Sequence, residues 1–202
     1  MSISVGVIKS AKIGGISKTQ SSTVTGDGQI VHNVSIPAGD TGVLTTRTDG
    51  DTGVFTAGDS AHAFANTDLV DAYWVGGCRR GMAVSGVPSG NAITIDGGSG
   101  DDLPDQDTAM TLIEPVELDL SFLGTNVNYI VFHTAQRGQF VVVDDGDAEA
   151  LAKELGAGAL WDWLENAGED NPISGDQIEK IYVSHDSASA VIMCVGVLYD
   201  NA

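Results

Sequence analysis

Apolar and polar residues alternate along most of this chain with the period of two that marks a half-buried β-strand. The clearest case runs from Asp68 to Pro104, DLVDAYWVGGCRRGMAVSGVPSGNAITIDGGSGDDLP. Val70, Ala72 and Trp74 fall on one face of a strand, and Asp71 and Tyr73 on the other. Gly76-Gly77 turns the chain, then Arg80, Met82 and Val84 alternate again. Pro88 to Asn91 makes a second turn, and Ile93 and Ile95 carry a third strand. Upstream, Thr23–Thr25, Gln29–Ile36, Val43–Thr48 and Val54–Ala57 read as strands parted by Gly/Asp turns, and Ala109–Ile113 closes the set. Short strands at this spacing predict a small antiparallel barrel or sandwich over residues 22–115, preceded by an extended N-terminal arm over 1–21.

Glu114-Pro115 interrupts the pattern, because proline lacks the donor a central ladder needs, and a domain boundary is expected there. Beyond it, Val116 to Phe122 alternates, and Val127–Thr134 and Phe140–Val143 flank Gln136 to Gln139 as a hairpin. Asp147 suits the N-cap of a helix over Ala148–Leu155, which Gly156 would end. Leu160, Trp161 and Leu164 fit one face of a second short helix. Ile178–Ser184 and Ala190–Tyr199 read as a last strand pair. The expected fold class is thus mixed β and α+β: an arm, a small β-barrel or sandwich, then an α+β domain over 116–202 with two short helices on an antiparallel sheet.

Charge adds a second layer. The chain has 202 residues and 28 acidic against 9 basic side chains, a net −19. Such a body repels nucleic-acid phosphates and anionic membranes, so neither is expected as a direct partner. Lys9, Lys12 and Lys18 are the only charges in the first 26 residues. That leaves six of the 9 basic residues against all 28 acidic ones in the remainder, a net −22. A lysine-bearing arm beside so acidic a body suggests docking onto a neighbouring copy. The opening MSISVGVIKSAKIGG has no apolar core of signal-peptide length, and the longest apolar run, Ala190–Leu198, is too short to span a bilayer.

Candidate chemistry is sparse. Asp96, Asp101, Asp102, Asp105 and Asp107 crowd one glycine-rich loop, an oxygen-rich setting of the kind Ca²⁺ prefers. The plainer reading of that loop is a solvated acidic turn; no other cofactor is expected. Ser184-His185-Asp186 has triad residue types, but strand neighbours point to opposite faces and cannot relay a proton. The histidines at 32, 62, 133 and 185 show no zinc spacing. Cys78 precedes Arg79-Arg80, cationic neighbours that would lower its pKa, yet no base partner is evident; Cys78 and Cys194 are expected as free thiols. On a helix Trp161 and Trp163 would lie about 200° apart, one in the core and Trp163 at a subunit contact. Arg79 and Arg80 are further candidates for subunit contacts.

The run V-D-x-Y-W-x-G-G-x-R-x-G-M-x-V, with Gly90-Asn91-x-Ile93-x-Ile95-x-Gly97-Gly98-x-Gly100-Asp101-x-Leu103-Pro104, resembles the small β-barrel segments of tailed-phage virion structural proteins. The resemblance covers residues 22–113. It implies a non-enzymatic capsid decoration (cement) protein that forms homo-oligomers and contacts a major capsid protein, on a virion assembled in the host cytoplasm. A tail-tube or head–tail connector subunit is the nearest alternative. A secreted calcium-stabilised adhesin or glycan-binding module is the rival outside that class.

Overall fold

The computed structural model describes residues 3–13, 16–26, 28–58, 61–100, 103–119, 127–144, 149–164 and 178–199. Among them every regular element is a strand. Three assemblies result: a two-stranded ribbon, a closed six-stranded barrel and a pair of four-stranded sheets.

The ribbon is β1 (Ile3–Ile13) and β2 (Ile16–Gly26), paired antiparallel from Ile3↔Gly26 to Ile13↔Ile16. The barrel comprises β4 (Asp40–Arg47), β5 (Thr52–Ala57), β6 (Leu69–Trp74), β7 (Gly77–Ser89), β8 (Ala92–Asp96) and β9 (Ala109–Ile113). It closes in the order β4-β5-β8-β7-β6-β9 and back to β4. Closure leaves no edge, so alternate residues either fill the interior or face out. Leu44, Phe55, Val70, Ala72, Met82, Val84, Ile93, Ile95 and Leu112 fill it, all essentially inaccessible. The small bore requires close strand approach. At Gly42 a Cβ would collide with the Thr56 carbonyl oxygen and fall 2.7 Å from the Phe55 ring.

The two sheets pack face to face. One is ordered β10 (Val116–Asp119), β15 (Ile178–His185), β12 (Gly138–Asp144), β13 (Glu149–Leu155). The other is β14 (Leu160–Leu164), β11 (Val127–Thr134), β16 (Val191–Tyr199), β3 (Gly28–Ile36). Phe140, Val142, Ile181 and Val183 of the first meet Ile36, Ile130, Phe132, Met193 and Val195 of the second in one buried cluster. The Phe132 and Phe140 rings stack with centroids 3.5 Å apart, and Trp161 tilts against both. Because β3 pairs with β16 from Val191↔Ile36 to Tyr199↔Gly28, the sandwich takes strands from both sides of the barrel in sequence.

Five expectations are corrected here. The expected α+β domain is absent among the described residues, where the last third of the chain is all strand. The helix expected over Ala148–Leu155 is β13, which pairs with β12 from Gly138↔Leu155 to Val143↔Glu149. The helix expected at Leu160 to Leu164 is β14, pairing with β11 from His133↔Leu160 to Tyr129↔Leu164. In both segments the leucines are four positions apart, a spacing that fits one helical face and one strand face equally. Pairing to an adjacent strand then outweighs the helix preference of Ala, Glu, Lys and Leu. The expected hairpin around Gln136 to Gln139 is instead an arch, because β11 and β12 belong to opposite sheets. Thr134 holds the bend, its hydroxyl donating to the Gln136 carbonyl (2.9 Å) and accepting the Gln136 N–H (3.2 Å). Gly138 then passes so close to β15 that a Cβ would lie 2.7 Å from the Ser184 carbonyl oxygen. The same arch geometry separates β15 from β16, which were expected to pair.

Candidate functional site

The densest polar chemistry lies where the barrel meets the sandwich. Strand β6 alternates as expected, Val70 and Ala72 entering the barrel while Asp71 and Tyr73 point away from it. They point at the sandwich, not at water: Asp71 is 5% exposed and Tyr73 1%. The Asp71 carboxylate accepts from Ser184 Oγ (2.5 Å) and Gln139 Nε2 (2.8 Å) on one oxygen and from the Gly81 N–H (3.0 Å) on the other. Ser184 has one hydroxyl proton and it goes to Asp71, so Tyr73 donates in the 2.7 Å bond between Tyr73 Oη and Ser184 Oγ. Every donor in the network therefore points toward one carboxylate.

Burial pushes the Asp71 carboxyl above its ordinary range, against the opposing pull of the bonds from Ser184, Gly81 and Gln139. Burial likewise raises the Tyr73 phenol, with the nearby Asp71 charge adding to it. Around this centre, Arg137 donates to Glu154 Oε1 (2.6 Å) and to the Trp74 carbonyl (2.8 Å) and lies over the Tyr73 ring. Arg80 makes a two-pronged ion pair with Glu149, both contacts 3.0 Å. A groove of about 720 Å³ opens beside these groups, with Leu69, Pro115, Val141 and Val143 among its walls.

This arrangement joins two lobes. Ser184 is committed to Asp71 and Tyr73. His185 turns the opposite way, its ring nitrogens at the Ile36 carbonyl oxygen (3.4 Å) and the Ser187 N–H (3.0 Å). The expected lowering of the Cys78 pKa is reversed: burial first, then Glu154 at 3.4 Å, push the thiol up to about 11. The two arginines that follow it serve elsewhere. Cys78 and Cys194 are both free thiols.

The residues singled out from sequence are dispersed. Arg79 donates to the carbonyls of Gly97 (2.9 Å) and Ser99 (3.3 Å), fastening the acidic loop to the barrel. Arg80 spans barrel and sandwich. Asp96 accepts the Gly98 N–H at 2.7 Å, and Asp105 and Asp107 are exposed. Asp101 and Asp102 lie outside the described residues. Among the described residues no three metal-ligating side chains come together. Lys9, Lys12 and Lys18 occupy the outer half of the ribbon, at Lys9↔Gln20, Lys12↔Ser17 and Ala11↔Lys18. Trp163 stands opposite Ile130 on β14, so the helical separation expected between positions 161 and 163 does not apply. Sequence reasoning missed the Asp71 network altogether. Its one local signal is an acid between two valine/alanine positions of an apolar strand, and its partners lie 68 and 113 residues away.

Comparison with protein-family models, curated proteins and solved structures finds no match to this chain.

Proposed function

We propose that this chain is a non-enzymatic structural subunit of a tailed-phage virion, a decoration (cement) protein that stabilises the head lattice through oligomeric contacts. The observation that carries this reading is the ribbon. Its two 11-residue strands form a sheet of their own, and an isolated two-stranded ribbon is marginal in water. At about 3.4 Å per residue it is roughly 37 Å long. It has three lysines and no acid, whereas the rest of the chain is strongly acidic. The junction supports the same reading, since its buried polar groups are engaged in joining two rigid β lobes.

The test is mass spectrometry of gradient-purified virions separated into heads and tails. Recovery with heads in stoichiometric amount is the expected result. Recovery with tails alone would favour the tail-tube or connector reading, and absence from both fractions overturns the proposal. The adhesin reading requires a Ca²⁺ site at Asp96, Asp101, Asp102, Asp105 and Asp107. A rise in melting temperature with millimolar Ca²⁺, reversed by EGTA, would favour it.

A further inference from the structure

The groove between barrel and sandwich has a floor and walls set by strand register. Phe140 and Val142 of β12 and Ile181 and Val183 of β15 enter the sandwich core, so Val141, Val143 and Tyr182 face the other way, toward the barrel. Glu117, Tyr182 and Val141 form one row across β10, β15 and β12, and Val143 with Glu149 lies in the next. On the other side of that row Ser184 pairs with Gln139, and their bonds to Asp71 close that end of the groove. The connection from β9 to β10 contributes Glu114, Pro115 and Glu117. The Arg80–Glu149 ion pair crosses from barrel to sheet. The space is about 720 Å³, within the roughly 300–1,000 Å³ of small-ligand clefts, which favour the junctions between domains.

Apolar surface and charge together select the class of ligand. Leu69 lines the groove yet is 56% exposed, and Val141 opposite it on the sheet is only half-buried. Four carboxylates and two guanidinium groups line the same space. Arg80 is matched by Glu149, and Arg79 is turned to the carbonyls of Gly97 and Ser99. That leaves Asp71, Glu114 and Glu117, and among the described residues neither glutamate forms an ion pair. The Tyr182 hydroxyl donates to Glu117 Oε2 (2.8 Å) and fixes that carboxylate at the groove. Asp71 uses three of the about four acceptor positions of a carboxylate, and its Oδ1 carries the Gly81 N–H alone. An apolar cleft with a fixed carboxylate on its floor and a buried one at its closed end attracts cations and repels anions.

We propose that this groove binds a small organic cation, an ammonium or guanidinium group on an aliphatic body. The body lies against Leu69, Val141 and Val143, and the charge is held by Asp71 and Glu117. Every wall belongs to one chain, so the site is complete in a monomer and does not rest on the virion reading.

The test titrates the isotopically labelled full chain with n-hexylammonium at neutral pH and follows the backbone amide resonances. The expected result is saturable shifts at Gly81, Val141 and Tyr182, absent with hexanoate and weaker with hexanol. Glu117→Gln removes a charge while keeping an acceptor for Tyr182, and Leu69→Ala trims an exposed side chain, so both variants keep the wild-type melting temperature. Each should weaken hexylammonium binding about three- to fivefold. Asp105→Asn removes an exposed charge that does not line the groove and should leave the affinity unchanged. No saturation by about 10 mM hexylammonium, or equal binding of hexanol, overturns the proposal. Unchanged affinity in either groove variant, or a loss in Asp105→Asn equal to that in Glu117→Gln, assigns the binding to the acidic body as a whole and overturns it as well.

Discussion

Replacing Asp71 with alanine removes the one acceptor on which the junction network converges. Gln139 Nε2 loses its partner in a buried setting and the Gly81 N–H loses one at an exposed residue, while Ser184 can turn its proton toward Tyr73. Each orphaned buried donor costs about 1–3 kcal/mol. Relief of the desolvation of a buried charge offsets part of that. The net expectation is a loss of about 2–4 kcal/mol. For a chain of this size each kcal/mol moves the melting temperature by about 2–4 °C, so Asp71→Ala should melt roughly 5–15 °C lower. Asp71→Asn should cost less, because Gln139 can flip its amide and Ser184 can reverse its hydroxyl to suit an amide donor. The two variants also isolate the pH effect. The folded-state pKa of Asp71 is raised, so the ionised carboxyl opposes folding. Its contribution improves as pH falls through the folded value and levels off below the unfolded value of about 3.9. Wild type should therefore gain on Asp71→Asn as pH is lowered across that window. Thermal unfolding followed by circular dichroism reads both effects. A melting temperature for Asp71→Ala within about 1 °C of wild type would refute the idea that this carboxylate holds the lobes together.

Other outcomes are expected. Arg80→Ala breaks an ion pair whose side chains are 33% and 52% exposed, so it should cost under about 1 kcal/mol in the same melt. Cys78, with its pKa near 11, should react with iodoacetamide at pH 8 far more slowly than free glutathione, and Glu154→Gln should speed it. Gly42→Val places a branched side chain against Thr56 and Phe55 and should yield insoluble or molten protein by near-ultraviolet circular dichroism, whereas Gly58→Ala should fold normally.

The barrel was legible because closure makes alternation absolute: one residue in, the next out, as in Val70, Ala72 and in Ile93, Ile95. The sandwich was less so. Alternation reports that a strand has a buried face, not which sheet it joins, so the arch at Ala135 to Arg137 looked like a hairpin. The leucine pairs at 151/155 and 160/164 satisfied helix and strand together, and composition tipped the reading the wrong way. At Asp49-Gly50-Asp51 a turn was foreseen but not its chemistry. The Asp49 carboxylate accepts the N–H groups of Asp51 and Thr52, and no positive φ is needed at Gly50. The junction was illegible for a deeper reason. Asp71, Gln139 and Ser184 meet only after three separate strands have paired, and nothing local to Asp71 distinguishes a buried acid from a solvated one.

The central claim is that this chain assembles on a capsid, and saturable binding to undecorated shells tests it most directly. Shells of the parent phage are titrated with purified protein and sedimented, and occupancy per shell is counted. The account predicts saturation at a fixed stoichiometry set by the lattice, with lower affinity when residues 2–20 are deleted and unchanged body stability. Full-length protein that stays in the supernatant at every salt concentration, alone or with shells, would contradict it.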